Sequence, residues 1–308
     1  MAAPIIIDTD PGQDDAVAIL LALASPAELE VRAVTTVAGN VEIEKTTANA
    51  LRVLELSGRA DVPVHAGAAG PTVLGLQTAE FVCGPDGLSG AGLPPAAGAA
   101  QAGHAVEAII ALARADGPRV TVCALGPLTN IALALRIAPD IAGRLERIVL
   151  MGGALNLGNM TPAAEFNFFV DPHAAAVVFG AGIPIVMFGL NVTHDAVPSA
   201  ENLAELARLD SAAGRATHGM MTRPRPGGLG AVAHPMHDPC VIAWMLDPLL
   251  FSGRDCHVEI EAGDGPLRGR STIDWNDRLK RPANAHVIGG IDAERFFRLL
   301  IDRIARLP

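Results

Sequence analysis

Near its amino terminus the chain reads Ile5-Ile6-Ile7-Asp8-Thr9-Asp10-Pro11-Gly12-Gln13-Asp14-Asp15, an apolar run followed by four acids within eight positions. Residues 4–8 have the composition of a buried strand, and residues 14–24 carry a helical pattern. Ser25-Pro26 ends that helix, because a residue preceding proline is pushed out of the α region. The alternation then continues. Strand-like stretches at 30–37, 62–65, 119–124, 147–151 and 184–188 are interleaved with helical ones at 42–57, 105–114, 128–137 and 172–179. Gly58 closes the second helix, and the helix at 128–137 stops near Pro139. Continuously apolar strands separated by helices indicate an α/β fold, a mostly parallel open sheet with helices on both faces. Ligands of such sheets sit beyond the carboxyl ends of the strands, which is where the four acids stand.

Composition bounds the class of function. Half of the 308 residues are hydrophobic and 18% are charged, so the chain can bury enough apolar area to offset its ordering entropy. A net charge of -10 argues against a nucleic-acid partner, which needs a basic face to displace counterions. It does not argue against a small ligand that is part of a nucleic acid. Cys83, Cys123, Cys240 and Cys256 are too far apart for a zinc ribbon or a disulfide scaffold, and they read as reduced intracellular thiols. The first apolar run is too short, and too soon followed by acids, for a signal peptide. No apolar stretch reaches the roughly 18 residues of a membrane span. The expectation is a soluble, cytoplasmic protein without a membrane partner. A prior of about 150 residues per domain suggests two domains, but single α/β domains reach this size. Two stretches break the rhythm: residues 67–102, rich in Gly, Pro and Ala, and residues 218–234, which include Arg223 and Arg225. Long irregular segments of this kind are lids or binding loops, or else ordinary surface loops.

Like charges clustered at one strand end are costly unless a cation or a proton offsets them. Hard carboxylate oxygens favour Ca²⁺ or Mg²⁺ over zinc. Without a metal, Asp8 would cap the turn and Asp14 and Asp15 would complement the helix dipole, which leaves part of the cluster unexplained. Asp8-Thr9-Asp10-Pro11-Gly12 resembles the Asp-x-Asp-x-Thr/Val motif of the haloacid-dehalogenase-like phosphotransferases. It departs from that motif at Gly12 and adds Asp14-Asp15, and only Lys45 and Lys280 are available for the phosphate.

A closer resemblance is to the inosine–uridine-preferring nucleoside hydrolases. Asp8-Thr9-Asp10-Pro11-Gly12-x-Asp14-Asp15 is similar to their signature, and further motifs follow in that family's order. These are Ala38-Gly39-Asn40, Gly126-Pro127-Leu128-Thr129-Asn130, Met151-Gly152-Gly153, the run from Gly158 to Asn167, Asp171-Pro172 and His237-Asp238-Pro239. The resemblance implies a Rossmann-like nucleoside hydrolase fold with a single catalytic domain spanning residues 1–308. It implies Ca²⁺-dependent hydrolysis of the N-glycosidic bond of a small-molecule ribonucleoside, through metal-activated water and an oxocarbenium-like sugar. The side chains of Asp10, Asp15 and Asp238 and the carbonyl of Leu125 would hold the ion. Many relatives have Thr at the last position, but a carbonyl ligand makes no demand on the side chain. Asp10 would also take the water's proton. Asp14, Asn40, Asn159, Glu165 and Asn167 would grip the ribose hydroxyls, and Met151 would pack beside the sugar. His237 would help the base leave. A homodimer or homotetramer is implied as well.

Each residue has a plainer alternative. Asn40 could shape a turn, Glu165 could cap a helix and Asn167 could satisfy backbone groups. Cys83 stands where many relatives have histidine, and it reads as a small buried filler. Trp244 and Trp275 read as packing residues. His194 is a pocket-edge candidate, and His218 and His234 flank the possible lid. The chain has no tyrosine, so no lid tyrosine can contact the base, and Arg223 or Arg225 would do so instead. Other functions stay open: hydrolysis of a modified or unusual nucleoside, and Ca²⁺-dependent binding of a nucleoside or sugar without turnover.

Overall fold

The structure, a computed structural model, describes residues 2–223 and 234–308. Its strands are β1 (Ala3–Thr9), β2 (Leu29–Thr36), β3 (Val64–Ala66), β4 (Thr121–Ala124), β5 (Arg147–Met151), β6 (Ile185–Phe188), β7 (Phe251–Cys256), β8 (Val258–Ile260), β9 (Ser271–Ile273) and β10 (Ala285–Ile291). The longer helices of the first half are α1 (Gln13–Leu23), α2 (Ile43–Leu56), α4 (Ala105–Arg114), α5 (Thr129–Ile137) and α7 (Pro172–Phe179), with short turns α3 (Glu80–Cys83) and α6 (Phe166–Val170) between them. The second half carries α8 (Leu190–Thr193), α9 (Ala200–Leu206), α10 (Ala212–Thr222), α11 (Pro239–Leu246) and α12 (Ala293–Ile304).

Eight strands form one sheet in the order β3-β2-β1-β4-β5-β6-β10-β7. All neighbours run parallel except β10 and β7. Side chains alternate across a strand, so β1 feeds two cores. Ile5 and Ile7 join α1, α2, α11 and α12 on one face, while Ile6 joins α4, α5 and α7 on the other. The same alternation places Asp8 on the second face and Thr9 on the first. The order of connection reverses between β1 and β4, which opens a crevice at the carboxyl ends of the strands. Asp10, Asn40, Leu125 and Met151 all lie at those ends.

The carboxyl-terminal quarter is where the structure adds to the sequence pattern. β10 enters the sheet beside β6, and β7 closes it as an antiparallel edge. β7 is mostly exposed, and β10 contains Gly289-Gly290 and a register shift, so neither shows the apolar continuity of a buried strand. Gly289 is needed, because a Cβ there would strike the Trp275 ring. At the opposite edge, the three residues of β3 are partly covered by a bridge from His65 to Gln101.

Residues 67–102 are tied down at several points. Ala68 N–H donates to Asn130 Oδ1 at 2.9 Å, Asn49 Nδ2 donates to Asp86 O at 2.7 Å, and Gln13 Nε2 donates to Cys83 O at 2.9 Å. Asp171 does the most. Buried at 1% exposure, it accepts from Thr72 N–H (2.7 Å), Thr72 Oγ1 (2.8 Å), Thr129 Oγ1 (2.8 Å) and the α7 amide of Ala174 (3.0 Å). An Asp171→Ala variant loses a helix cap and these tethers together. Its urea unfolding should show a loss of about 2–3 kcal/mol, and limited proteolysis should cut sooner between residues 67 and 79.

Candidate active site

Four carboxylates converge where β1 gives way to α1 and α11 begins. One oxygen from each of Asp14, Asp15 and Asp238 lies within 4.8 Å of the others. Asp14, expected among the ribose-contacting residues, also brings its carboxylate into this cluster and accepts from the backbone N–H groups of His237 and Asp238. Asp15 accepts from Thr9 Oγ1 at 2.5 Å, from Gly12 N–H at 3.0 Å and from Asn40 Nδ2 at 3.2 Å. Asp10 adjoins them. Its Oδ2 accepts from Asn40 N–H at 2.6 Å, while its buried Oδ1 has no hydrogen-bond partner among the described residues. Gly39 and Gly126 make room for it, since a Cβ at either would strike the Asp10 carboxylate.

Burial raises these acids. Asp15 is pushed up to about 6 by desolvation and by the neighbouring charge of Asp14. Asp10 and Asp238 are held well above the ordinary carboxylate range by desolvation and by the neighbouring charges of Asp15 and Asp14. An all-oxygen cluster with a buried, unpartnered carboxylate oxygen beside it fits a hard divalent cation. Asp8 is excluded from it. Its Oδ1 accepts from Thr35 Oγ1 at 2.6 Å and Asn130 Nδ2 at 2.9 Å on the other face of the sheet. The sequence counts four acids, and the strand's alternation removes Asp8, replaced by Asp238 from 230 residues further along.

Through Asp14 and Asp238 the cluster reaches a cavity of about 370 Å³, while Asp10 and Asp15 do not line it. Asp14, Asn40, Leu125, Met151, Asn159, Glu165, Asn167, His237 and Asp238 all line it. Two of the plainer alternatives are realised at the same time. Glu165 caps α6, accepting from Asn167 N–H at 2.9 Å and Phe168 N–H at 3.3 Å, and it also accepts from Gly153 N–H at 2.8 Å. Burial pushes its carboxyl up to about 7. Asn167 Nδ2 donates to Leu125 O at 2.7 Å and Met151 O at 3.1 Å, joining the ends of β4 and β5. Both residues therefore serve the backbone and still face the cavity. Asn159 Oδ1 accepts from Phe166 N–H at 2.9 Å.

The rest of the lining is largely apolar and aromatic. Phe81, Val82, Met160, Phe166, Met220 and Met236 belong to it, together with His194, Arg223 and His234. None of the six was singled out from the sequence. Phe166 stands between Glu165 and Asn167, and Phe81-Val82 just precedes Cys83, so their neighbours were the available signal. Cys83 itself is buried, does not line the cavity and is pushed up to about 12 by burial, in keeping with a filler. Trp244 and Trp275 pack against the two cores, each under an arginine (Arg147 and Arg254). His218 does not line the cavity, and Arg225 lies outside the described residues. His234 Nε2 donates to Arg223 O at 2.7 Å. His237 Nδ1 pairs with Thr193 Oγ1 at 2.7 Å, and the His194 ring packs edge-on against it at 5.6 Å. No described helix is long and apolar enough to cross a membrane.

Comparison with known proteins agrees with this geometry. The chain is 46% identical, over 309 aligned positions, to a pyrimidine-specific ribonucleoside hydrolase RihA of Shewanella sp. (strain ANA-3), covering 99% of this chain and 97% of that one. Among solved structures it resembles a plant nucleoside hydrolase, the PpNRh1 enzyme, with TM-score 0.91 and 34% identity over 99% of both chains. It also resembles a purine-preferring ribonucleoside hydrolase from Gardnerella vaginalis, with TM-score 0.88 and 31% identity over 98% of both chains. The family profile described as inosine-uridine preferring nucleoside hydrolase matches residues 5–298. Matched over residues 5–298 and across nearly the whole of these relatives, this chain belongs to that family of glycosidase-type hydrolases.

Proposed function

We propose that this protein hydrolyses the N-glycosidic bond of ribonucleosides, pyrimidine ribonucleosides foremost, with Ca²⁺ held at the carboxylate cluster. The observation that carries this is a single cavity lined both by carboxylates and amides and by apolar and aromatic side chains. A ribonucleoside has the same division between a polyhydroxylated sugar and a flat base. The pyrimidine preference is supported by the RihA relative.

Asp10, Asp15 and Asp238, with the Leu125 carbonyl, would hold the cation, and Asp14 stands close enough to join them. When bound, Ca²⁺ would offset the clustered negative charge and lower the pKa of water beside it. Asp10 then serves as general base for that water. The water oxygen bonds to C1′, and one water proton passes to Asp10. The C1′–N bond breaks, its electron pair stays with the base, and His237 supplies the proton with which the base departs. Asp14, Asn40, Asn159, Glu165 and Asn167 receive the ribose hydroxyls. Glu165 keeps lone pairs beyond those given to amides, and Asn167 keeps its Oδ1. A deoxynucleoside leaves such groups unpaired and should be turned over poorly. Met151 packs beside the sugar.

Ribose released from a panel of ribonucleosides, with Ca²⁺ and with chelator, tests the proposal. Chelator-sensitive release, faster from uridine and cytidine than from inosine and guanosine, is expected. No release while Ca²⁺ is demonstrably bound would point instead to a modified nucleoside or to binding without turnover. Asp10→Asn should lower kcat by about 10³-fold with an unchanged circular dichroism spectrum. The raised carboxyls also set a pH dependence for the metal-free protein. Asp8 and Asp15 at about 6 and Glu165 at about 7 bind protons more tightly folded than unfolded, so stability falls as pH rises from about 4 to 7. In chelator, Tm should drop between pH 5 and pH 7.5. Ca²⁺ should restore it more at pH 7.5 than at pH 5.

A further inference from the structure

His237 has a buried partner that the family resemblance did not single out. Thr193 is fully buried and ends α8, the four-residue turn that follows β6. That turn is fixed on both sides. Leu190 N–H donates to Gly153 O at 2.9 Å beyond the end of β5, and Asn191 Nδ2 donates to Ile288 O of β10 at 2.9 Å. The Thr193 hydroxyl therefore has a set place in the sheet, 2.7 Å from Nδ1 of His237. The His194 ring, next in sequence, packs edge-on against the same imidazole. A hydroxyl can donate or accept, so it pairs with Nδ1 in either tautomer.

The two imidazole nitrogens lie on different edges of the ring, and fixing one directs the other. Histidine χ2 is a broad, roughly two-fold torsion, and a contact at Nδ1 selects one orientation within it. We propose that Thr193 is a positioning residue, whose hydroxyl holds the His237 ring so that its Nε2 edge meets the departing base. Thr193 acts through His237 and does not touch the substrate. The assignment rests on the function proposed above, in which His237 supplies a proton to the base nitrogen as the C1′–N bond breaks. A misplacement of about 1 Å can cost on the order of 10²-fold in rate, and that loss should fall only on substrates whose leaving group needs the proton.

The test compares Thr193→Val, Thr193→Ala and Thr193→Ser on uridine and on p-nitrophenyl β-D-ribofuranoside, whose phenolate leaves without a proton. Thr193→Val and Thr193→Ala should lower kcat for uridine by about 10- to 100-fold, with KM changed less than threefold (about half a decade). Both should keep kcat for the p-nitrophenyl riboside within about twofold, which also reports that the site is folded. Thr193→Ser should recover most of the uridine rate. Equal losses on both substrates in both truncations, a change confined to KM, or no loss at all would overturn the assignment while leaving wild-type turnover, and the proposed function, intact. A wild type that releases ribose from no nucleoside would sink the proposed function and the Thr193 assignment with it.

Discussion

Bringing Asp10, Asp14, Asp15 and Asp238 together in a buried crevice sets like charges side by side in a poorly solvated place. Much of the surrounding architecture offsets that cost. Thr9 and Gly12 donate to Asp15, the amide and side chain of Asn40 donate to Asp10 and Asp15, and the first backbone amides around α11 donate to Asp14. Gly39 and Gly126 keep side chains out of the way. Even so, one oxygen of Asp10 is left without a proton donor. A protein that only needed to be stable would not keep such a group, because an unpaired buried carboxylate oxygen costs more than a hydrophobic replacement. The arrangement makes sense as a site whose last partner is a bound cation.

Much of this was legible in the chain because it is local. The apolar strands, the helix stops at Pro26, Gly58 and Pro139, and the placing of motifs at strand ends follow from short-range rules, and the parallel sheet agrees with them. Two kinds of feature were not legible. β7 and β10 lack apolar continuity, one because it is an exposed edge and the other because Gly289 must admit the ring of Trp275. The roles of individual acids depend on which partners, far away in sequence, the fold brings to each. Asp8 in β1 meets Thr35 and Asn130, while Asp14 in α1 meets the amides of His237 and Asp238. No spacing rule carries that information.

The polar and apolar parts of the cavity lining are built differently. Most of the polar residues lie at or beyond the ends of β1, β2, β4 and β5, cross-linked by Asn167, with His237 and Asp238 added just before α11. The apolar residues lie outside the sheet: Phe81 and Val82 in α3, Met160, Phe166 in α6, Met220 in α10 and Met236. Loops tolerate change more readily than the sheet they connect. The RihA relative is named for pyrimidines and the Gardnerella vaginalis enzyme for purines, yet both align with nearly the whole of this chain. On the proposed function, a constant sugar-binding part beside an exchangeable base-binding part would account for that pattern.

The sheet's borders have a consequence for solubility. Parallel strands inside the sheet present long rows of paired amides, and an open border of that kind would template the pairing of further chains. Here one border is β3, three residues long and bridged by Gln101, and the other is β7, exposed through Ser252, Gly253, Arg254 and Asp255. A short, covered strand on one side and a charged, glycine-containing strand on the other discourage strand-by-strand growth of fibrils. The crevice that needs a long parallel sheet can thus be kept without the aggregation hazard such a sheet would otherwise bring.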